Sequence, residues 1–328
     1  MTTRPLRFGL QSFAAKSPAD WREQARRAES LGFSTFSVAD HVIGPGPALT
    51  ATNHPVQNVA AVPAMAVAIE ATSTINVGAR VFCTDYRQPV VFAKELATLD
   101  FFSEGRLELG LGAGWLQGEY EAMGVPWDRA GVRIDRFEET LKLIRQHFGD
   151  GEVNIAGEHV NVSGFEGVPK PHDGMPPIMI GGGAKRVLGI AGREADIVSL
   201  NFNNSSGKIG PEGVGSSTAE LTAQKIDWIR AGASTRTDGR GFDDIEVEIG
   251  AYFTVVTDQR TATLGQMAPM FQLEPQQFAE HPHALIGSVD SICEQILERR
   301  ETYGISYITF SASAGESVAP IIERLAGT

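Results

Sequence analysis

The stretch "PPIMIGGGAKRVLGIAGREADIVSL", residues 176–200, decides the fold. An apolar run, 176–183, ends in three glycines. "AKRVLGIAGREA" follows with the apolar spacing of a helix, and "DIVSLN" (196–201) is a second apolar run. The glycines raise a further question, because each costs conformational entropy on folding. Three in a row between strand and helix let a backbone come close to something. They also expose consecutive N–H groups at a helix N-terminus. That geometry attracts a phosphate, and Lys185 and Arg186 add positive charge. A tight strand-to-helix turn with no ligand is the other reading. The pattern is neither a Walker A loop nor a full GxGxxG.

The same rhythm runs outward in both directions. Strands are expected at 6–13, 33–40, 75–83 and 106–114 before this unit, and at 244–256 and 305–312 after it. Helices are expected between them. "SPADWREQARRAESLG" (17–32) has a Ser cap, a Pro in its first turn and a Gly at its end. Residues 58–72 read as helical despite Pro63, and 129–149 as the longest helix. Residues 151–163 read as an inserted hairpin. Residues 202–217, rich in Gly, Ser and Asn, read as a long loop, and 260–287 as irregular or helical. Eight strands, each followed by helix, give an α/β chain folded as a (β/α)8 TIM barrel with insertions in the strand-end loops. No linker divides it, so 1–328 reads as one domain. A doubly wound open sheet is the alternative, and the regular rhythm over the full length favours the barrel.

Composition narrows the function. Hydrophobic residues make up 42% and charged residues 21%, as in an ordinary globular protein, and the net charge of −12 comes without a basic run. A nucleic-acid surface is therefore not expected. The two cysteines, Cys83 and Cys293, form no CxxC pair and suggest a reducing compartment. No signal h-region and no apolar run of transmembrane length is seen, so a cytoplasmic protein with no membrane partner is expected.

In a barrel of this kind the chemistry sits at the C-terminal ends of the strands. Strand two ends in Asp40 and His41. Strand three ends in Arg80, Val81, Cys83, Asp85 and Tyr86, and strand four in Ala113, Gly114, Trp115 and Glu119. Strand five ends in Gly181, Gly182 and Gly183, and strand six near Asn201. A His at a strand mouth serves as a hydrogen-bond donor or as a general acid/base, or is a satisfied structural residue. Asp40 either caps the next segment or orients the site. The glycines of "GLGAGW" (110–115) allow backbone to approach a flat ring. Cys83 reads as a pocket-lining hydrophobe rather than a nucleophile. "HPH" (281–283) has no third ligand, and no metal site is expected.

These residues carry a resemblance. "VADH", "YRQPVVFAKELATLDFFSEGRLELGLGAGW", "PPIMIGGGAKRVLGIAGREADIVSL" and "IGSVDSICEQI" resemble the luciferase-like monooxygenase superfamily over almost the whole chain. The "DH" after strand two is most similar to the coenzyme F420-dependent branch. The resemblance implies a deazaflavin at the barrel mouth, with FMN as the alternative cofactor. It implies a non-proline cis peptide at Arg80–Val81 against the central ring, with Asp40, His41, Ala113 and Gly114 beside it. Gly181, Gly182, Gly183 and Ala184 would hold the phosphate, away from the usual barrel phosphate site after strands seven and eight.

One departure matters. The F420-dependent glucose-6-phosphate dehydrogenases of this superfamily carry a catalytic Glu where this chain has Trp115, so sugar-phosphate oxidation is not expected. Glu119, one helical turn on, points into the pocket or away from it. His41 and Glu119 are the candidate catalytic residues. The expected activity is hydride transfer between F420 and a small, fairly apolar organic substrate. The alternatives are an FMN-dependent two-component monooxygenase with a separate reductase, and a non-catalytic flavin-binding barrel. The resemblance also implies a homodimer.

Overall fold

Eight short strands find parallel partners on both sides. In the computed structural model, which describes residues 4–328, they run Arg7–Ser12, Thr35–Val38, Asn76–Ala79, Leu107–Gly112, Ile178–Gly182, Ile197–Leu200, Glu246–Gly250 and Ile305–Ser311. Met1, Thr2 and Thr3, at the start of the expected 1–328 domain, lie outside the described residues. The first strand pairs with the second and the eighth, and the third pairs with the fourth. The sheet therefore closes into a (β/α)8 barrel, as the sequence rhythm requires.

Alternation along each strand sorts the side chains. Phe8, Phe36, Val77, Leu109, Ile180, Val198, Val247 and Phe310 face the helical layer and are buried. Each such side chain stabilises the fold by roughly 1.5–3 kcal/mol. The inward residues are largely polar. Near the N-terminal end of the barrel Arg7 bridges Glu246 at 2.6 Å and Glu108 at 2.8 Å, and Tyr307 donates to Glu108. Above this layer Met179, Ile197 and Tyr307 pack with Val81. Nearest the mouth Arg80 pairs with Glu248 at 2.8 Å. Buried charges survive in such a place only when paired and hydrogen-bonded.

The helices begin where the sequence places their caps. Ser17 accepts from the Asp20 amide at the start of Pro18–Ser30, and Gln88 accepts from the Val91 amide at the start of Pro89–Ser103. Pro63 sits in the first turn of Ala61–Ala71. The long helix is Ala130–Phe148, and the hairpin pairs Glu152–Ala156 with Asn161–Glu166. No helix among the described residues is long and apolar enough to cross a membrane.

Two expectations need correction. The seventh strand does not run through 244–256. It stops at Gly250, and Phe253–Val256 instead pairs in parallel with Ala284–Gly287 outside the barrel. The break lets Tyr252 reach back to Arg80. A Cβ on Gly250 would stand 2.7 Å from Arg80 Nη2 and 2.8 Å from the Tyr252 ring. Periodicity cannot see this, because both halves alternate in phase. The region 260–287 accordingly holds a strand, with helices Arg260–Met267 and Pro275–Ala279 packed on it. The loop 202–217 contains one short helix, Pro211–Gly215.

Candidate active site

The third strand breaks at the mouth of the barrel. Asn76–Ala79 is followed by a cis peptide between Arg80 and Val81, and Phe82–Cys83 then rejoins the fourth strand. Val81 stands out from the wall between the fourth and fifth strands, and the glycines there make room for it. A Cβ on Gly112 would lie 2.8 Å from Val81 Cγ2, and one on Gly181 would lie 3.1 Å from Cγ1. Gly110 faces the Ala79 carbonyl, and Gly183 faces the backbone of Asn201 and Phe202. Gly114 has φ +73°, and a Cβ there would meet Cys83 and Tyr120. Several glycines read as ligand contacts thus also answer to close approach within the protein itself.

One cavity collects the predicted residues. Asp40 and His41 from the second strand, Arg80 and Val81 from the third, Ala113 and Gly114 from the fourth, and Gly181 through Ala184 from the fifth all line it. Trp115, Asn201 and Phe202 complete its rim. Glu119 does not line it. Its carboxylate is wholly buried directly behind His41.

Glu119 comes from the short helix Gln117–Met123, which follows Trp115. Its Oε2 accepts from His41 Nδ1 at 2.8 Å and from the Tyr86 hydroxyl at 2.8 Å. Its Oε1 accepts from the amides of Val42 at 2.5 Å and Ile43 at 3.2 Å. Burial pushes this carboxyl up, but the bonds from His41, Val42 and Tyr86 outweigh burial and hold it below its ordinary range. An anionic acceptor at Nδ1 fixes the proton of the neutral imidazole on that nitrogen. His41 Nε2 is left to meet a ligand.

Asp40 has a different partner. Both its oxygens take the Arg87 guanidinium at 2.6 Å, and Oδ2 also accepts from the Cys83 amide. It pins the second strand to the third and so sets the cavity wall. Burial pushes the Cys83 thiol up, so it is neutral at pH 7 and lines the cavity as a small apolar group. Arg80 Nε donates to Glu248, and its Nη1 donates to the Tyr252 hydroxyl at 3.1 Å. Tyr252 donates on to Asn201 Oδ1 at 2.9 Å. Gln11 Nε2 holds the Arg80 carbonyl at 2.9 Å.

Three further features are not evident in the sequence. His54 lies with its ring centroid 3.8 Å from that of His41, and Trp115 packs beside both. Burial and the neighbouring His41 lower His54 to about 4. His281 and His283 are buried although they lie in a turn. His281 Nε2 donates to the Val214 carbonyl and His283 Nδ1 to the Gly250 carbonyl, tying the 202–217 loop to the outer strands. Arg186 turns away from the cavity to Asp135 and Glu138, whereas Arg133 lines it. Among the described residues no group of three or more His, Cys, Asp or Glu is placed to hold a metal.

The fifth strand passes directly into the helix Lys185–Glu194, whose N-cap is Ala184 with no capping side chain. Its first-turn amides have no partner within the helix. This uncapped terminus at the cavity edge fits a bound phosphate.

The chain is similar in sequence and fold to known proteins. A stretch of 205 residues is 31% identical to an F420-dependent glucose-6-phosphate dehydrogenase of Amycolatopsis mediterranei, covering 62% of this chain and 58% of that protein. Another of 139 residues is 30% identical to an FMNH2-dependent dimethylsulfone monooxygenase of Pseudomonas fluorescens, covering 42% of this chain and 38% of the relative. The matched region thus spans less than two thirds of either relative's length. The fold is shared with coenzyme F420-dependent tetrahydromethanopterin reductase from Methanopyrus kandleri, at TM-score 0.74, 18% identity and 98% coverage of both chains. It is shared equally with an F420-dependent secondary alcohol dehydrogenase, at TM-score 0.75, 20% identity and 98% coverage of both. The family model of the luciferase-like monooxygenases matches residues 4–306, and with the closed barrel and its interrupted third strand the chain belongs to that family.

Proposed function

We propose that this protein is an F420-dependent oxidoreductase acting on a small, fairly apolar organic substrate with a carbonyl, hydroxyl or activated double bond. The observation that carries the reading is the Glu119–His41 pair at the cavity wall. A buried carboxylate held anionic by four donors is an orienting and charge-balancing group for an imidazole that takes or gives a proton. When bound, the deazaflavin would supply a two-electron hydride donor or acceptor.

The chain's own residues supply the rest. Val81, standing out between Gly112 and Gly181, would back the ring. Gly181 to Ala184 and the first turn of Lys185–Glu194 would hold the phosphate. In the reducing direction protonated His41 gives a proton to the substrate atom that gains negative charge, and in the oxidising direction neutral His41 removes it. Glu119 stabilises the imidazolium in both. Trp115 and Phe202 would give the substrate an apolar aromatic wall, with His54 packed behind Trp115. Of the polar cavity-lining side chains, Asp40, His41 and Arg80 are each paired within the protein, which favours a neutral substrate.

Side-by-side binding of F420 and FMN, followed by fluorescence quenching, tests the proposal. F420 is expected to bind tightly and FMN weakly. The reverse would mean a two-component monooxygenase served by a separate reductase. His41→Ala is expected to keep F420 binding and lose turnover; normal turnover by that variant would remove His41 from the mechanism.

A further inference from the structure

A chain of hydrogen bonds runs from the barrel interior to the cavity rim. It starts at the buried ion pair, where Arg80 Nε donates to Glu248 at 2.8 Å. Arg80 Nη1 donates to the Tyr252 hydroxyl at 3.1 Å, and Tyr252 donates to Asn201 Oδ1 at 2.9 Å. The direction of each bond is fixed. A guanidinium only donates, so the Tyr252 oxygen accepts from it and passes its own proton on. Tyr252 comes within reach because the seventh strand stops at Gly250. Its ring packs against Phe202 and His283, each with its centroid 5.2 Å away.

Asn201 ends the chain. Its backbone amide donates to the Gly182 carbonyl at 2.9 Å, and its carbonyl accepts from the Lys225 ammonium at 2.8 Å. Its side-chain Oδ1 takes a second donor, the Phe202 amide at 3.0 Å. Two obligatory donors on one oxygen settle which way the side-chain amide lies. Nδ2 is the end left over. It has no protein partner among the described residues, and Asn201 lines the cavity. The donors at Oδ1 also polarise the amide and strengthen its N–H groups as donors.

The barrel fixes where this donor stands. Asn201 follows the sixth strand and His41 the second, four places apart in either direction round the sheet. The two therefore face each other across the mouth. The residues assigned above to the cofactor all come from the ends of strands two to five. Asn201, Phe202 and Asn203 line the other side.

From this geometry we infer that Asn201 Nδ2 is a specificity donor, reading a carbonyl or ether oxygen at the end of the substrate remote from His41. The inference rests on the proposed function and narrows its substrate class. The preferred substrate is a small neutral molecule with an acceptor at each end, such as a dione or a keto ether. Arg80 and Tyr252 act through Asn201 as positioning residues. A few fixed polar groups in an apolar cavity set ligand orientation, and a ligand with a hydrocarbon far end leaves the Asn201 donor unpaired.

Three ketones of one ring size test this: cyclohexanone, tetrahydropyran-4-one and cyclohexane-1,4-dione. Their binding is followed by nitrogen–proton NMR of the side-chain amides, in protein with and without F420. The Asn201 signals are those missing from Asn201→Asp. The two ligands with a second oxygen are expected to bind native protein about 3- to 10-fold more tightly than cyclohexanone, the contribution of one neutral hydrogen bond, and to move the Asn201 amide protons downfield. Asn201→Asp still accepts from Tyr252 and Phe202 but cannot donate, so the preference should vanish or reverse. Asn201→Leu adds no charge and should abolish it too, which covers the case in which the Asp variant does not fold. Equal binding of the three ketones by native protein, or a preference that survives both substitutions, would overturn the inference. So would the failure of all three to bind. A marked loss of F420 affinity in Asn201→Leu would overturn it as well, by assigning the donor to a carbonyl of the cofactor ring. If F420 does not bind but the ketone preference is present and depends on Asn201, the donor stands and the F420 reading falls.

Discussion

Replacing Glu119 with Gln separates the fold from the chemistry. In the native protein the carboxylate takes four donors and is wholly buried. The Gln carbonyl can still accept from the Val42 and Ile43 amides. Its amide N–H group must then face His41 Nδ1 and Tyr86. The Tyr86 hydroxyl can rotate to accept, and His41 can accept at Nδ1 if its proton moves to Nε2. Nearly every hydrogen bond survives in neutral form, so the loss of folding stability should be small, about 1 kcal/mol. What disappears is the charge opposite the imidazolium. A hydrogen bond to a charged group contributes about 1.5–3 kcal/mol, and with about 1.4 kcal/mol for each factor of 10 the chemical step should slow by roughly 10- to 100-fold.

Two measurements check this. Single-turnover oxidation of F420H2 by an accepted ketone or enone reports the chemical step, and nitrogen NMR of the His41 ring reports the tautomer. The expected result for Glu119→Gln is F420 affinity within about twofold of native, a roughly 10- to 100-fold slower step, and a neutral ring protonated on Nε2 rather than Nδ1. A variant with native turnover, or with its proton still on Nδ1, would refute the reasoning. Loss of F420 binding in parallel with turnover would show instead that Glu119 serves only to build the cavity wall.

The remaining predictions concern packing and a buried charge. Gly112→Ala would put a Cβ 2.8 Å from Val81 Cγ2, so it should destabilise the protein by about 1–3 kcal/mol, and Val81→Ala in the same chain should recover most of that loss in urea unfolding. No recovery would mean that Gly112 does not exist to accommodate Val81. Lys225 is buried, bonded among the described residues to the Asn201 carbonyl and Ser217 hydroxyl, and burial lowers it to about 8. The unfolded chain therefore binds more protons between about pH 8 and 10.5, so this residue's contribution makes stability rise with pH across that window and be lost as pH falls toward 8. The native-minus-Lys225→Met difference in unfolding free energy should change by about 3 kcal/mol over that window, and a flat difference would mean that the ammonium is better solvated than its burial implies.

Much of the fold was legible because the barrel strands read either as short apolar runs or as alternating apolar and polar residues, whereas each helix reads at a different period. The extent of the seventh strand was not legible, since the turn at Gly250 leaves the alternation intact. The strand Ala284–Gly287 was missed because its partner lies outside the barrel rhythm. For the site, knowing that strand ends carry the chemistry was enough to name Asp40, His41, Arg80, Val81, Ala113, Gly114 and Gly181 to Gly183 among the residues that line the cavity, but not Arg133 or Ile134. Position along a strand says which end of the barrel a residue occupies, but not which partner its side chain takes. Asp40 and His41 are adjacent in sequence, yet one carboxylate is spent on Arg87 and one imidazole is held by Glu119.

Charge is the least legible quantity. Arg186 adjoins the glycines and was the natural phosphate partner, but the parallel packing of its helix against Ala130–Phe148 offers it Asp135 and Glu138 at closer range. Arg133, about fifty residues earlier in the chain, reaches the cavity from a helix packed against Pro89–Ser103 and the hairpin. A sequence read element by element records both charges and neither destination. Only the relative placement of two helices decides which cation is left without a carboxylate.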